Sequence, residues 1–198
     1  MDTADRPNQP PRNIVLVGFM GSGKSTLGKI LHKRISYHLV DTDHLIEEQA
    51  GKNIPEIFKS EGEEHFRNLE TQLLRDMLKS GCNHHIISTG GGMILREENR
   101  ALLRQLGFVV WLSCSAEETY QRTARTNTRP LLQCDDPMAV ITKMLNERSP
   151  LYDKAAHLKI STSDLEFNEI FCGILESARY HFGTHSDDSD LIPNPPCK

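Results

Sequence analysis

The sequence predicts an α/β domain built on a parallel sheet, and three observations carry this prediction. The stretch Ile14–Val17 is apolar throughout, which is typical of a central parallel strand buried on both faces. The segment that follows it has apolar residues at helical spacing, namely Leu27, Ile30 and Leu31. Predicted strands and helices alternate along the whole chain, and this alternation favours parallel strands joined by helical crossovers.

The predicted elements follow one another with short connections. Strands are expected at Asn13–Val17, Tyr37–Val40, His85–Ser88, Phe108–Leu112 and Leu158–Ser161. Helices are expected at Lys24–Arg34, His44–Ala50, Ile54–Lys59, Gly62–Lys79, Glu97–Leu106, Ala116–Thr123, Pro137–Arg148 and Leu165–His181. Asn53 is a suitable N-cap for the third of these helices. The polar stretch from Ala124 to Asp136 shows no clear period, and its length and charge predict a mobile lid.

Length and composition limit the possible classes of protein. The 198 residues suit a single domain, predicted at residues 13–182, with disordered polar ends at 1–12 and 183–198. A net charge of −4 argues against a general nucleic-acid binder. No apolar stretch reaches the length of a membrane span, and a signal-peptide core is absent from the N-terminus. The five cysteines lack a paired or zinc-like spacing, so we expect reduced thiols in a cytoplasm.

A glycine-rich turn after the first strand is the strongest local signal. Gly18, Gly23, Lys24 and Ser25 match the phosphate-loop spacing G-x-x-x-x-G-K-S/T. Glycines let successive backbone N–H groups face a phosphate, and the following helix presents its positive end to the same anion. The Lys24 ammonium can then reach the β- and γ-phosphates, while the Ser25 hydroxyl can bind Mg²⁺. The alternative is a structural turn with a surface lysine.

Two carboxylates follow the second predicted strand. Asp41 and Asp43 are two residues apart, so both face the same side of an extended segment. One can support Mg²⁺, directly or through water, and the other can accept the proton of a substrate hydroxyl. The alternative is a capping pair in which Asp43 starts the next helix.

Three consecutive glycines, Gly90–Gly92, follow the third predicted strand. They allow a ligand to approach the backbone closely and offer N–H donors to an oxygen-rich substrate or a γ-phosphate. A plain flexible turn is the alternative. Because ligands bind at the carboxyl ends of the strands in such sheets, we expect this loop, the phosphate loop and the two aspartates to share one cleft.

Three arginines each have more than one interpretation. Arg67 lies three residues before Glu70, so a surface ion pair on one helical side competes with a ligand-binding role. Arg148 is expected at the end of a helix, where a cation complements the helix dipole. Arg129, in the irregular segment, is either solvated or closes over the phosphates. The residues alone leave these alternatives open.

Taken together, these motifs resemble those of the shikimate kinases. G-F-M-G-S-G-K-S-T, D-T-D, G-E-E-H-F-R-N-L-E, S-T-G-G-G, R-P-L-L and N-E-R-S-P-L-Y occur in that family's order and spacing, from about Asn13 to Phe182. The resemblance implies a three-layer α/β/α phosphate-loop domain of the nucleoside-monophosphate-kinase type, with five parallel strands in the order 2-3-1-4-5. It implies transfer of the ATP γ-phosphoryl group to the 3-hydroxyl of shikimate, a step toward chorismate, by a monomer that uses one Mg²⁺.

The resemblance also implies site residues, motif by motif. The residues that would bind ATP are Gly21, Ser22, Gly23, Lys24, Ser25, Thr26, Arg122 and Arg129. Those that would bind shikimate are Asp43, Arg67, Gly90, Gly91, Gly92 and Arg148, with Phe58 and Phe66 as walls. The catalytic residues would be Lys24, Asp43 and Arg129, and Mg²⁺ would be held by Ser25 and, through water, by Asp41. Arg125 is a second candidate for the lid.

Two other functions compete with this one. A related small-molecule kinase, such as a gluconate kinase, shares the phosphate loop and the fold class, but the S-T-G-G-G loop and the arginine pattern argue against it. A nucleotide-binding regulatory module without turnover is the alternative from another class. The presence of Lys24, Ser25, Asp41 and Asp43 together argues against that module.

Overall fold

A five-stranded parallel sheet is the centre of the computed structural model, which describes residues 12–124, 136–163 and 165–183. The strands are β1 Ile14–Val17, β2 His38–Asp41, β3 His85–Ser88, β4 Phe108–Ser113 and β5 Leu158–Ser161. Their order is β2-β3-β1-β4-β5. This order and the parallel pairing confirm the expected fold class.

Helices cover both faces of the sheet. Within the described residues they are α1 Lys24–Arg34, α2 Thr42–Ala50, α3 Ile54–Lys79, α4 Glu97–Leu106, α5 Ala116–Ala124, α6 Pro137–Ala155 and α7 Phe167–Gly183. A single 3-10 turn, Met93–Leu95, lies between β3 and α4. Every helix of these segments is too short or too polar to cross a membrane.

The central strand β1 explains why its sequence is apolar at every position. Val15 and Val17 belong to a buried cluster with residues of α3, α4 and α6, whereas Ile14 and Leu16 belong to a second cluster with residues of α1 and α7. All four side chains are fully buried. Successive side chains of a strand point to opposite faces, so a strand covered on both faces must be apolar throughout. The molecule therefore has three layers.

The two helices expected before β3 form one helical run, α3, with a break at Gly62. Gly62 has φ 85°, a conformation that favours glycine. Asn53 is the N-cap, as the sequence predicted: its side chain accepts a hydrogen bond from Glu56 N (2.9 Å), and Glu56 Oε2 accepts one from Asn53 N (3.0 Å). This reciprocal pair is a capping box.

The helix α6 is seven residues longer than the sequence predicted. It was expected to end at Arg148, but it continues through Pro150 to Ala155. Pro150 has no N–H to donate within the helix, yet Tyr152 and Ala155 in the next turn are buried in the core. The packing of these two side chains holds the turn in helical form. Arg148 is therefore internal to α6, and its predicted position at a helix end is wrong.

Candidate active site

The phosphate loop joins β1 to α1 and is tied together by its own lysine. The Lys24 Nζ donates to the carbonyl oxygens of Gly18 (2.8 Å) and Phe19 (2.9 Å). Gly21 and Gly23 have φ values of 75° and 90°, which side chains rarely adopt. Gly23 is the N-cap of α1 and makes no side-chain hydrogen bond to the helix. The first N–H groups of α1 therefore have no side-chain acceptor at this cap, and the positive end of the helix faces the loop.

The other residues of the predicted ATP site in this stretch lie either within the loop or in the first turn of α1. Ser25 and Thr26 are exposed in the first turn of α1. Ser22 is buried within the loop. A Cβ on Gly18 would lie 2.7 Å from the Ser22 Oγ and 2.5 Å from the Leu112 carbonyl oxygen. Glycine at position 18 is therefore required by close packing.

Asp41 and Asp43 have different positions at the start of α2. Asp41 is the N-cap, and its Oδ1 accepts hydrogen bonds from Asp43 N (3.1 Å) and His44 N (3.5 Å). Asp43 lies within the first turn of the helix. The alternative in which Asp43 is the cap is therefore wrong, because the helix begins two residues earlier than expected.

These positions fit the predicted Mg²⁺ ligands. The Asp41 Oδ2 takes part in neither capping bond, and the Ser25 hydroxyl is exposed at the start of α1. Mg²⁺ is bound in kinases through one or two protein oxygens, with phosphates and water completing its octahedron. Among the residues that the structure describes, no group of three or more carboxylate, His or Cys side chains forms a dedicated metal cage. The donor set fits an ion that arrives with a nucleotide.

Two of the three glycines after β3, Gly90 and Gly92, make room for a neighbouring group. A Cβ on Gly90 would lie 2.4 Å from the Asp43 Oδ1, and a Cβ on Gly92 would lie 2.5 Å from the Arg67 Nη1. A Cβ on Gly91 would be 3.5 Å from the Gly18 carbonyl oxygen. A plain flexible turn does not account for this arrangement. The glycine loop packs against the phosphate loop on one side and against the two charged side chains on the other.

Arg67 on α3 is held by two carboxylates. Its Nη1 donates to Glu70 Oε2 (2.8 Å), and its Nε and Nη2 donate to Glu63 Oε1 (3.2 and 2.9 Å). The expected pair with Glu70 is thus present. It is not a surface pair, because the side chain of Arg67 is 13 % exposed and that of Glu70 is 1 % exposed.

Burial decides the electrostatics of this pair. Burial raises the pKa of Glu70, the nearby Asp43 carboxylate adds to this rise, and Arg67 opposes it. Burial alone would lower the pKa of Arg67, but Glu70 and Glu63 outweigh it and hold that pKa above its usual value. Arg67 is therefore a permanent cation next to Gly92 of the glycine loop.

Arg148 and Tyr152 approach the same loop from α6. The Arg148 Nη1 donates to the Gly91 carbonyl oxygen (3.4 Å), and its guanidinium lies over the Phe19 ring, 5.6 Å from the ring centre. The Tyr152 hydroxyl donates to the same carbonyl oxygen at 2.7 Å. Sequence reasoning did not select Tyr152, although its spacing of four residues from Arg148 in N-E-R-S-P-L-Y would have placed both on one side of a continuous helix.

Arg122 on α5 lies on the other side of the phosphate loop. Its Nη1 donates to the Gly21 carbonyl oxygen (3.3 Å), and its Nη2 donates to the Thr162 carbonyl oxygen (3.0 Å) and to Glu118 (3.1 Å). It thus links the phosphate loop to the segment after β5. Arg125 and Arg129 lie outside the described residues, as do most of the predicted lid and both predicted disordered ends apart from Arg12 and Gly183.

The two predicted aromatic walls are adjacent on α3. The Phe58 and Phe66 rings have centroids 4.9 Å apart. Phe66 is buried, while Phe58 is 36 % exposed. The Arg67 guanidinium lies 5.3 Å from the centre of the Phe66 ring. An apolar surface therefore adjoins the charged groups of the site.

Comparison with known proteins identifies the family. The family model described as shikimate kinase matches residues 20–179. A shikimate kinase of Marinomonas sp. is 40% identical over 169 residues, which cover 85% of this chain and 93% of the relative. A shikimate kinase of Dechloromonas aromatica is 44% identical over 154 residues, covering 78% and 83% of the two chains.

Solved structures agree with the sequence comparison. Shikimate kinase from Acinetobacter baumannii in complex with shikimate superposes with a TM-score of 0.78 at 37% identity, covering 91% of this chain and 97% of that one. A gluconokinase from Sinorhizobium meliloti superposes with a TM-score of 0.53 at 12% identity, a likeness that concerns the fold alone. The chain therefore belongs to the shikimate kinase family.

Proposed function

We propose that this chain transfers the γ-phosphoryl group of ATP to the 3-hydroxyl of shikimate and releases ADP and shikimate 3-phosphate. Family membership supports the reaction, and one observation carries the site assignment. Asp43, Arg67 and Arg148 each contact or closely approach a member of the Gly90–Gly92 loop. One carboxylate and two guanidinium groups around a glycine loop suit a small polyhydroxylated carboxylate.

The two arginines are proposed to bind the carboxylate of shikimate. A guanidinium has five N–H donors, and within the described residues the bonds of Arg67 to Glu63 and Glu70 occupy three of them. The remaining donors of Arg67 and those of Arg148 are available to an anion. Because Glu63 and Glu70 hold the Arg67 side chain in place, little conformational freedom is lost when a carboxylate binds.

Asp43 is proposed to orient the 3-hydroxyl and to accept its proton. The hydroxyl oxygen then forms a bond to the γ-phosphorus of ATP, and the bond from that phosphorus to the β–γ bridging oxygen breaks, which releases ADP. Asp43 lies in the first turn of α2 and against Gly90, so its carboxylate is close to the backbone that would bind the other hydroxyl groups. Position and charge are the main contributions that such a site makes to phosphoryl transfer.

The phosphate loop is proposed to hold ATP during this transfer. Lys24 would neutralise charge on the transferred phosphoryl group, and the N-terminus of α1 would bind the phosphates. Mg²⁺, held by Ser25 and through water by Asp41, would supply charge neutralisation at the β- and γ-phosphates. The family resemblance assigns Arg122 to the adenine and Arg129 to the phosphates. The expected partners are these small molecules, and the expected state is a cytoplasmic monomer.

An acceptor panel tests this proposal. The full-length chain with MgATP is incubated with shikimate, gluconate or a nucleoside monophosphate, and ADP release and the phosphoester product are measured. ADP release that depends on shikimate is the expected result. Turnover with gluconate instead would establish the rival kinase, and ATP binding without transfer to any acceptor would establish the regulatory module.

A further inference from the structure

Tyr152 has no role in the proposed reaction, although its hydroxyl contacts the Gly90–Gly92 loop that is proposed to bind shikimate. The side chain is 1 % exposed. Its ring stacks on Trp111 with centroids 5.7 Å apart and an interplanar angle of 19°. Its hydroxyl donates to the Gly91 carbonyl oxygen at 2.7 Å. A buried tyrosine usually pairs its hydroxyl with some acceptor, but this acceptor belongs to the loop that is proposed to bind substrate.

The loop has three carbonyl groups, and they are held in two ways. The carbonyl oxygens of Gly90 and Gly92 accept backbone hydrogen bonds from Met93 N (3.2 Å) and Leu95 N (3.0 Å). The Gly91 carbonyl oxygen accepts instead from the side chains of Tyr152 (2.7 Å) and Arg148 (3.4 Å). The bond from Tyr152 is the shorter and stronger of the two. Side chains of α6 therefore determine the orientation of this one peptide group.

Peptide geometry carries this orientation to the other side of the loop. The Gly91 carbonyl and the Gly92 N–H belong to one planar trans peptide group, so they point in opposite directions. Within the described residues, the N–H groups of Gly91 and Gly92 donate to no acceptor. When Tyr152 draws the Gly91 oxygen toward α6, the Gly92 N–H is directed away from α6. It is then available to a substrate oxygen.

We propose that Tyr152 is a positioning residue for the acceptor substrate: its hydroxyl holds the Gly91 carbonyl so that the Gly92 N–H faces the bound shikimate. This inference rests on the proposed function. Arg148 shares the same carbonyl, but it is needed for the substrate carboxylate and its bond is long. Tyr152 keeps the loop in place when Arg148 engages the substrate. Burial raises the pKa of the Tyr152 phenol although Arg148 acts to lower it, so the hydroxyl stays protonated and remains a donor at neutral pH.

The substitution Tyr152→Phe tests the proposal, because it retains the ring and its stacking on Trp111 and removes only the hydroxyl. We expect the KM and the calorimetric Kd for shikimate to rise about fivefold, while the KM for ATP stays within about twofold. Tyr37→Phe is the matched control. Tyr37 is also buried, and its hydroxyl has no hydrogen-bond partner among the described residues, so no change in either KM is expected.

A purely structural role for Tyr152 has a different signature. In that case Tyr152→Phe would have a lower Tm than the wild type, while its KM and Kd for shikimate would equal the wild-type values. This result would overturn the proposal. The backbone amide resonance of Gly92 gives a readout without any substrate. We expect it to shift in Tyr152→Phe and not in Tyr37→Phe, and an unchanged resonance also overturns the proposal. Failure of the proposed function would appear separately, as a wild-type chain that releases no ADP with shikimate.

Discussion

The phosphate loop and the acceptor side of the cleft are built in different ways. The phosphate loop is one continuous stretch, Gly18–Thr26, closed by bonds from Lys24 to carbonyl groups five and six residues before it. The acceptor side combines Asp43 of α2, Arg67 of α3, the glycine loop after β3 and Arg148 of α6. The first is a local structure, and the second exists only when the sheet and helices have assembled.

This difference determines how each half responds to change. The phosphate loop presents backbone groups and a helix end, so its binding energy is spread over a stretch of backbone. The acceptor side presents side chains whose positions depend on buried charges and on space left by glycines. Substitutions in the first half should affect catalysis and ATP, and those in the second should affect shikimate. Three substitutions test this separation, and a fourth tests the buried charge on the acceptor side.

The largest effect is expected for Lys24→Ala. The substitution removes the cation proposed to stabilise the transferred phosphoryl group, so we expect turnover to fall about 1,000-fold with little change in the Kd for shikimate. ADP release and calorimetry measure the two quantities. Lys29→Ala, at an exposed position of the same helix α1, is the control. A loss of less than about tenfold would contradict the role of Lys24.

Arg67→Ala should have the next largest effect, and on the other substrate. The substitution removes one of the two guanidinium groups that are proposed to bind the shikimate carboxylate. We therefore expect the KM for shikimate to rise about 100-fold and the KM for ATP to stay within about twofold. Arg75→Ala is the matched control, because Arg75 lies on the same helix and pairs with Glu98 at the surface. Equal damage to both KM values would remove the distinction between the two halves.

Gly92→Ala tests whether the glycines are needed for space. Gly92 has φ −96°, which alanine adopts without strain. Any effect of the substitution on shikimate binding therefore comes from the new Cβ, which would lie 2.5 Å from the Arg67 Nη1. Displacement of Arg67 should raise the KM for shikimate about tenfold. Gly173→Ala in α7, where the nearest atom is the end of the Ile160 side chain at 3.3 Å, should leave this KM unchanged. An unchanged KM in Gly92→Ala would mean that the loop moves freely.

The smallest effect concerns stability and pH. Burial raises the folded-state pKa of Glu70 despite the opposing charge of Arg67. The folded chain therefore binds this proton more tightly than the unfolded chain, and the stability that the proton contributes is lost as pH rises through the folded-state pKa. The unfolding free energy of the wild type relative to Glu70→Gln should therefore fall as pH rises above the ordinary carboxyl pKa of about 4.

Urea denaturation at a series of pH values measures this difference. Glu98→Gln is the control, because Glu98 pairs with Arg75 at an exposed position, and its difference from the wild type should depend less on pH. If the unfolding free energy of the wild type relative to Glu70→Gln instead rose with pH, the charge of Arg67 would affect the pKa of Glu70 more strongly than burial does.

Much of the fold could be predicted from the sequence, because its signals are local. The bounds of α1, β3, α4 and β5 agree with those expected, since apolar spacing and turn residues define each of them within a few neighbours. The phosphate loop was recognisable for the same reason. The strand order came from the family resemblance rather than from the residues.

The tertiary structure decided the features that depend on distant contacts. The helix α6 continues through Pro150 because the following side chains are buried in the core. The spacing of three residues predicted that Arg67 and Glu70 could form an ion pair, but it could not predict whether that pair is exposed or buried.

The acceptor side shows the same limit most clearly. Triple glycine indicates close approach, but only assembly places Asp43 beside Gly90 and Arg67 beside Gly92. Tyr152 reaches Gly91 across 61 residues of sequence. The sequence by itself thus determined the individual strands, most of the helices and the phosphate loop, because neighbouring residues set these features. The tertiary structure decided the acceptor side, because burial and side-chain contacts exist only between segments that folding brings together.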